Sequence, residues 1–313
     1  MSQLDYLVTG AQGQLGRAVT AAIAQRGRRA FGVDVEEMPL EERGRILSTL
    51  LTHRPRWIVH CGAITNVDGC EQDPLAAHRV NGLATAWIAE AAGKIDAGLV
   101  YVSTDFVFDG SQAGTPYAVD AAPRPLSIYG SSKRLGEEAV LGRERDDHYV
   151  VRTSWVYGPG GRNFPRAILD RARAGQPLKV VTDQVGSPTL TLDLAEALLD
   201  LCDSGAPGGI YHATNSGHCS WHEFARAVLR AADLGDVEVA TQLAADLARP
   251  AQRPAWSVLD NSKLDAALGR SMPTYTDAIA RYLAAESILL ASAAADPGVP
   301  GNQSGTLRGK EYK

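Results

Sequence analysis

Tyr129 and Lys133 are separated by three residues, a spacing that brings both side chains to one face of a helix. A tyrosine ordinarily titrates near pH ~10, but a neighbouring ammonium stabilises the phenolate and lowers the pKa of the phenol. Such a pair can deliver and regain a proton at a reacting oxygen. Many isolated matches to this spacing are incidental surface pairs, so the pair needs a third group beside it to indicate a site.

A hydroxyl upstream of the pair supplies that third group. The apolar run at residues 99–102 ends in Ser103 and Thr104. If the run is a strand of a parallel sheet, these hydroxyls lie at the carboxyl edge, where such sheets bind ligands. The sequence therefore predicts an acid–base site of Thr104, Tyr129 and Lys133, with Ser103 as the weaker candidate for the hydroxyl.

A glycine-rich segment follows the first apolar run and precedes an amphipathic stretch. From Gly10 to Gly16 it reads GAQGQLG, a GxxGxxG spacing. Glycines remove the Cβ atoms that would keep a pyrophosphate from the backbone, and the following helix offers free N–H groups. A flexible turn is the simpler alternative, but the strand before and the helix after favour a dinucleotide. The cofactor-binding residues predicted in this loop are Gly10, Gln12, Gly13, Gln14, Leu15 and Gly16.

Asp34 lies just beyond the second predicted strand, 18 residues after Gly16. A carboxylate at this position can accept hydrogen bonds from both ribose hydroxyls of the adenosine and would repel a 2′-phosphate. This favours NADH over NADPH. A solvated loop acid beside Glu36 and Glu37 is an equally good interpretation, and the two stay open.

Short apolar runs alternate with longer amphipathic segments through the first 200 residues. Strands are predicted at residues 6–8, 30–33, 57–59, 99–102 and 149–151, and helices at 15–26 and 75–92. This alternation is typical of βαβ units. It predicts an α/β fold with a doubly wound, Rossmann-type parallel sheet.

The second half of the chain is less regular, with helices predicted at residues 193–202 and 221–232. Ser220 and Glu223 have the spacing of a capping box that begins the second of these helices. We expect a dinucleotide-binding domain at 1–152, a smaller substrate-binding cap with returns to the sheet at 153–292, and a disordered tail at 293–313.

The composition argues against several partners. The net charge of −5 disfavours general binding of nucleic acid. We expect no membrane partner and a cytoplasmic location, because the apolar stretch at residues 288–295 is short and no leader pattern precedes the first strand. His218, Cys219 and His222 lie close together, but they have no second ligand cluster, so no zinc site is predicted.

Nine stretches of the chain carry strings of a known family. They include STDFVFDG at residues 103–110, RTSWVY at 152–157 and DQVGSPT at 183–189. The others are residues 10–16, 60–68, 80–81, 129–137, 211–224 and 253–260. On these residues the chain resembles the extended short-chain dehydrogenases, and most closely the dTDP-4-dehydrorhamnose reductase family.

The resemblance implies a reductase that uses NADPH or NADH to deliver hydride to C4 of a nucleotide-activated 4-keto-6-deoxy sugar. The product would be dTDP-L-rhamnose or a related dTDP-sugar, such as a branched sugar of an aminoglycoside. Thr104, Tyr129 and Lys133 would be the catalytic trio, and Lys133 would also hold the nicotinamide ribose. The further cofactor residues implied are Gly62, Ala63, Thr65 and Asn81, and the substrate residues are Thr104, Asp105, Trp155, Asn163 and Arg253.

Some assignments stay open at this point. A core tryptophan is the alternative for Trp155, and a solvated loop arginine is the alternative for Arg253. The resemblance also leaves open a homodimer and a magnesium ion, for which we assign no ligands. His60 stands where the family commonly has Asn and is expected to be a hydrogen-bonded strand-end residue. Trp256 stands near the expected substrate mouth, where it would affect which sugar fits.

Two other functions stay open. An epimerase or dehydratase of the same fold would retain its NAD, but dehydratases typically carry an acidic pair here, and Asp105 is followed by Phe106. A non-catalytic regulatory subunit, of the kind that partners a methionine adenosyltransferase, would keep the dinucleotide fold without turnover. The intact trio argues against the second function.

Overall fold

The computed structural model describes residues 4–295. The strands within this range are β1 (Tyr6–Thr9), β2 (Ala30–Val33), β3 (Trp57–His60), β4 (Gly98–Thr104), β5 (His148–Thr153), β6 (Val156–Tyr157), β7 (Leu178–Val181), β8 (Val185–Gly186), β9 (Thr189–Leu190), β10 (Gly209–His212), β11 (Cys219–Ser220) and β12 (Val239–Gln242). The α-helices are α1 (Gln14–Gln25), α2 (Arg43–His53), α3 (Val67–Gln72), α4 (Pro74–Ala77), α5 (Ala84–Ile95), α6 (Ile128–Leu141), α7 (Phe164–Arg173), α8 (Thr191–Ser204), α9 (Trp221–Ala231), α10 (Ser262–Leu268) and α11 (Tyr275–Ala295).

Six strands form one parallel sheet in the order β2-β1-β3-β4-β5-β10. The chain adds β2 on one side of β1 and then β3 on the other. Such a switch point opens a ligand crevice at the carboxyl ends of the strands. The predicted α/β, doubly wound fold is confirmed, and the five predicted strands correspond to β1–β5.

Both faces of the sheet are buried, which explains the nearly continuous apolar character of its strands. Tyr6 and Val8 face the layer that contains α1 and α8, whereas Leu7 between them faces the layer of α2 and α5. These three side chains are at most 1% exposed. Burial of each such side chain contributes about 1.5–3 kcal/mol, so the alternating faces hold the two helix layers on the sheet.

The helix predicted at residues 75–92 is interrupted. Helix α4 passes into a π-helical turn at His78–Leu83, and α5 follows without a break in direction. A π-turn inserts one residue into the helical repeat and is frequent at functional sites. Here it carries Asn81, which is 1% exposed.

A smaller layer beside the sheet has its own core. Helices α7, α9 and α11 bury Tyr157, Phe224 and Tyr282 between them. Short strand pairs β6–β9, β7–β12 and β8–β11 complete the layer, while β10 returns to the main sheet beside β5. The predicted capping box is confirmed, because Ser220 accepts from the backbone N–H of Glu223 over 3.1 Å and Glu223 accepts in return over 2.7 Å.

Helix α11 runs through Ala295, so residues 293–295 at the start of the predicted tail lie in this helix. The rest of the predicted tail, residues 296–313, lies outside the described residues. In the described part of the chain, no helix combines the length and apolar character needed to cross a membrane.

Candidate active site

The glycine loop makes a tight turn at the end of β1. Gly10 has φ +61°, a backbone conformation that side chains rarely tolerate, and a Cβ there would lie 2.7 Å from the Cα of Gly62. A Cβ on Gly16 would lie 2.1 Å from the carbonyl oxygen of Gly10. The loop therefore needs glycine at both positions to bring α1 this close to β1 and to the segment after β3.

Helix α1 begins directly after Gly13, and no side chain in the described range caps its first turn. The N–H groups of that turn remain available, and the helix dipole adds attraction for an anion. This helix end and the bare backbone of the loop fit the pyrophosphate of a dinucleotide.

Two side chains of the loop are committed to the protein itself. Gln14 donates from Nε2 to the carbonyl of Arg162 over 3.0 Å. Its Oε1 accepts from the N–H of Gly158 over 3.0 Å and from Asn163 over 3.1 Å. Leu15 is buried in the core. Any cofactor contact of Gln14 and Leu15 is thus left to their backbone.

Asp34 lies beside the glycine loop, as its position directly after β2 predicts. One carboxylate oxygen accepts from the N–H of Gln12 over 2.8 Å, and the other accepts from the N–H of Val35 over 2.9 Å. Each oxygen keeps a further lone pair. The fixed carboxylate is therefore able to accept from ribose hydroxyls, and that contact stays a prediction.

Asn81 holds the segment after β3 rather than facing the crevice. Its Oδ1 accepts from the N–H of Ile64 over 2.8 Å, and its Nδ2 donates to the carbonyl of Ile64 over 3.0 Å and to Ser132 over 2.9 Å. Because the amide is satisfied and buried, Asn81 positions its neighbours and the direct cofactor contact predicted for it is not supported. Gly62 and Ala63 come just before Ile64 in the sequence and are buried, whereas Thr65 is exposed.

His60 is enclosed at the end of β3. Its Nδ1 lies 2.6 Å from the hydroxyl of Thr9, and its Nε2 lies 3.2 Å from that of Thr85. Thr85 donates to the carbonyl of Asn81, so it accepts from the Nε2–H of His60. Burial lowers the pKa of His60 to about 3. The ring is therefore neutral, and the prediction of a hydrogen-bonded strand-end residue is confirmed.

Close packing sets α6 against the end of β4. A Cβ on Gly130 would lie 2.2 Å from the carbonyl oxygen of Phe106, and one on Gly136 would lie 2.3 Å from the hydroxyl of Tyr101. Ser127 caps the helix by accepting from the N–H of Gly130 over 3.2 Å. These contacts bring Tyr129, in the first turn of α6, beside the last residues of β4.

The phenol of Tyr129 meets the side chain of Thr104. Thr104 donates from its hydroxyl to Oδ1 of Asp105 over 3.0 Å, so it offers the nearby phenol an acceptor lone pair. Burial raises the pKa of Tyr129 above its ordinary value, and the hydrogen bond with Thr104 acts in the opposite direction. The phenol is therefore protonated at neutral pH and has a defined partner.

Lys133 lies one helical turn after Tyr129 and is 3% exposed. Its Nζ donates to the carbonyl of Val102 over 2.7 Å and lies 4.2 Å from the centroid of the Tyr101 ring. Burial lowers the pKa of Lys133 to about 7. Burial is the largest influence on the Tyr129 phenol and raises its pKa in the protein alone, so a lowering of this pKa by the charge of Lys133 stays a prediction.

Asp105 is a buried carboxyl group beside this pair. It is 1% exposed, and its Oδ2 has no hydrogen-bond partner in the described part of the chain. Burial raises the pKa of Asp105 to about 6. This oxygen is available to a ligand or a proton, and the substrate role of Asp105 stays a prediction.

A cavity of about 370 Å³ lies on the cap side; no member of the trio lines it, and Phe106 connects the two. Phe106 lines this cavity and also contacts the Tyr129 ring edge to face, with centroids 5.6 Å apart. Trp155 has φ +47° and stacks on Trp221 at 3.6 Å. The other aromatic and cationic residues of the lining are Phe164, Arg171, Lys179, Arg249 and Arg253.

Arg253 lines the cavity but is already paired. Its guanidinium donates to the two carboxylate oxygens of Asp68 over 2.8 and 3.1 Å. Arg249 lines the same cavity at its exposed rim and has no ion-pair partner among residues 4–295, and partial desolvation and the charge of Arg253 lower its pKa. Sequence reasoning missed Arg249. The available signal was a second arginine four residues before Arg253.

Asn163 and Trp256 are used inside the protein. Asn163 caps α7 by accepting from the N–H of Arg166 over 2.9 Å, and its Nδ2 donates to the carbonyl of Gly158 over 2.7 Å. Trp256 donates to the carbonyl of Thr115 over 2.9 Å. Neither is among the residues that line the cavity. The structure therefore does not bring Asn163 to the trio, and a substrate contact from it stays a prediction.

The histidines near α9 do not converge on one another. His218 lies 5.2 Å from the ring of Trp256, and Nε2 of His222 lies 3.0 Å from the carbonyl of Val239. Across residues 4–295, no three His, Cys, Asp or Glu side chains are arranged to hold a metal ion. The magnesium ion left open above stays without assigned ligands.

Comparison of the chain with known proteins shows which family it belongs to. Residues 4–288 match a family model described as the RmlD substrate binding domain. The chain is 41% identical over 268 residues to dTDP-4-dehydrorhamnose reductase of Streptomyces griseus, covering 84% of this chain and 87% of that protein. The chain belongs to the dTDP-4-dehydrorhamnose reductase family. The resemblance inferred from its motifs is confirmed.

Two further comparisons extend the similarity around this family. A probable dTDP-4,6-dihydroxy-2-methyloxan-3-one 4-ketoreductase of Streptomyces antibioticus is 38% identical over 261 residues, which cover 83% of this chain and 88% of that protein. The solved dTDP-4-dehydrorhamnose reductase of Bacillus anthracis, in complex with NADP, has a TM-score of 0.86 at 30% identity. That similarity covers 90% of this chain and 99% of the other.

Proposed function

We propose that the chain is an NAD(P)H-dependent reductase of a nucleotide-activated 4-keto-6-deoxy sugar. Its substrate is dTDP-4-dehydrorhamnose, reduced to dTDP-L-rhamnose, or a closely related dTDP-sugar. The observation that carries the proposal is the placement of Tyr129 and Lys133 of α6 beside Thr104 and Asp105 at the end of β4, at the edge of a dinucleotide crevice. The names of the relatives, which are reductases of dTDP-linked keto sugars, agree with it.

The residues that would hold the cofactor are the glycine loop, Asp34, Gly62 and Lys133. When bound, NADH or NADPH supplies the hydride for the keto carbon. The loop and the first turn of α1 bind the pyrophosphate, and Asp34 accepts from the adenosine ribose. Lys133 donates to the nicotinamide ribose and places a positive charge below the phenol.

Tyr129 supplies the proton. As C4 is reduced, the keto oxygen gains negative charge, and the phenol transfers its proton to that oxygen. The O–H bond of Tyr129 breaks and the hydroxyl bond at C4 forms. Thr104 donates to the phenolate once its hydrogen turns away from Asp105, and the charge of Lys133 stabilises the phenolate until it is protonated again. The raised pKa of Tyr129 suits this role, because the group holds its proton until the oxygen becomes basic.

The cavity beside Phe106 takes the rest of the substrate. Trp155 and the aromatic wall around it offer flat surfaces for a sugar or a base. Arg249 is the better candidate for the diphosphate than Arg253, because Asp68 already neutralises Arg253. Arginine suits this ligand because its guanidinium matches phosphate oxygens. Asp105 accepts or donates at a sugar hydroxyl through its unpartnered oxygen.

The test is to incubate the purified protein with dTDP-4-keto-6-deoxy sugars and each reduced cofactor. Loss of absorbance from NADH or NADPH, together with a product reduced at C4, is the expected result. Product stereochemistry assigns the sugar. Bound NAD that is retained without net consumption of NADH would instead identify an epimerase or dehydratase, and no turnover with any keto sugar would favour a regulatory subunit. A homodimer, a bound magnesium ion and a cytoplasmic location stay predictions.

A further inference from the structure

Glu137 and Arg152 form an ion pair in which both side chains are 0% exposed. Arg152 donates from Nε to Oε1 and from Nη2 to Oε2 of the carboxylate, each over 2.8 Å. This two-pronged geometry is the most directional that an arginine and a carboxylate can adopt. The pair joins α6, which carries Tyr129, to β5.

Glu137 binds two more donors. The hydroxyl of Ser103 donates to Oε1 over 2.7 Å, and Nη1 of Arg134 donates to Oε2 over 3.1 Å. Ser103 is the residue immediately before Thr104 on β4. The carboxylate therefore ties α6 to the part of β4 that presents the catalytic hydroxyl.

Arg152 reaches the segment that follows β4. Its Nη1 donates to the carbonyl of Val119 over 3.3 Å, and its guanidinium lies 5.0 Å from the centroid of the Phe108 ring. Phe108 in turn stacks on Tyr117 at 4.1 Å. One buried pair thus fixes α6, β4, β5 and residues 105–121 relative to one another.

Stability alone explains this pair poorly. Desolvation of two buried charges offsets most of their attraction, and well-packed apolar residues are often at least as stabilising. Its position suggests a better reason, since Lys133 lies one turn before Glu137 and Thr104 directly follows Ser103. We propose that the Glu137–Arg152 pair is a positioning device of the active site, which sets Tyr129 against Thr104 and places a negative charge behind Lys133.

The surroundings of Lys133 give this charge a measurable effect. The groups that face Lys133 are Glu137 from α6, Tyr101 from β4, and His60 and Cys61 at the end of β3. Burial lowers the pKa of Lys133, and Glu137 is the largest opposing influence. Because His60 is neutral, loss of the Glu137 charge should move the pKa of Lys133 further down.

The inference rests on the reductase function proposed above, and the wild-type assay tests that function separately. Glu137→Gln should lower kcat by about 10-fold or more and change KM much less, since small displacements of a catalytic group are costly. The alkaline limb of the kcat profile should move down by about 1 pH unit, as expected when an opposite charge is lost. NADH affinity, measured by fluorescence, should weaken at the same lower pH.

Ser103→Ala separates position from charge. It removes the tether between Glu137 and β4 but keeps both members of the ion pair. We expect a several-fold lower kcat with the alkaline limb unchanged. Wild-type kcat in this variant would contradict the positioning role.

A charge-neutral double variant, Glu137→Met with Arg152→Met, covers the case in which Glu137→Gln does not fold. The proposed positioning role of the pair is contradicted if the double variant has the wild-type melting temperature, kcat and pH profile. Asp193→Asn is the matched control, because Asp193 is 5% exposed and paired with Arg281 away from the trio. It should lower the melting temperature without moving the pH profile. If the wild type reduces no keto sugar, the pH dependence of NADH affinity still tests the effect of Glu137 on Lys133.

Discussion

Thr104 donates its hydroxyl hydrogen to Oδ1 of Asp105 over 3.0 Å, and this bond fixes the direction of the neighbouring one. With its only hydrogen committed, Thr104 can meet Tyr129 only as an acceptor. In the absence of substrate, Thr104 is therefore the group to which the phenol can donate. Both groups are buried at the same edge of the sheet.

Thr104→Val should lower kcat by about 100-fold, in the range measured for loss of one polar group that stabilises developing charge. The variant keeps the shape of the side chain but removes the hydroxyl oxygen that can accept from the Tyr129 phenol. Steady-state assays with saturating cofactor give the measurement. Thr104→Ser is the matched control and should keep most of the activity, whereas equal losses in both variants would contradict the hydroxyl role.

Asp105→Asn should become more stable relative to the wild type as the pH rises. Burial raises the folded-state pKa of Asp105 to about 6, so folding favours its protonated form. The contribution of Asp105 to stability is full below the unfolded pKa near ~4 and is lost as the pH rises through 6. Between pH 4 and pH 7.5 the difference in unfolding free energy should change by about 1–3 kcal/mol.

Urea unfolding of both proteins at the two pH values measures that change. A difference independent of pH would mean that the Asp105 carboxyl titrates normally in the folded protein.

Arg249→Gln should weaken binding of dTDP by about 10-fold or more, as loss of a charged hydrogen bond predicts. The reason is that Arg249 lines the cavity and, unlike Arg253, has no ion-pair partner among the described residues. Isothermal titration at two salt concentrations measures the affinity and its electrostatic part. Lys94→Gln removes a surface ion pair with Glu90 and should have no effect.

Arg253→Gln offers the opposite comparison. Because Arg253 is bound to Asp68, its loss should reduce thermal stability as well as affinity. If Arg249→Gln binds dTDP normally and Arg253→Gln does not, Arg253 is the diphosphate ligand after all.

The sequence could predict those features that depend on neighbouring residues. The glycine loop, the spacing of Tyr129 and Lys133, and the capping box at Ser220 are set by backbone geometry within one or two turns. The parallel, doubly wound sheet could also be predicted from local patterns, because short apolar runs alternate with amphipathic segments.

Features that depend on distant partners could not be predicted. The residues near Arg253 in the sequence do not indicate that Asp68, 185 residues earlier, neutralises it. The same holds for Glu137 and Arg152, which meet only because α6 packs across β4 and β5. The direction of the pKa shift of Tyr129 also depends on burial, and the spacing of Tyr129 and Lys133 gives no information about burial. The π-turn around Asn81 was missed because its residues continue a helical pattern.

The most direct test of the account is turnover by Tyr129→Phe, with affinity for NADH measured alongside. The variant removes one oxygen and leaves the ring that packs on Phe106. We predict that kcat falls by about 100-fold or more, the range for loss of a general acid, while the Kd for NADH stays within about 3-fold. Turnover close to that of the wild type would contradict the assignment of Tyr129 as the proton donor.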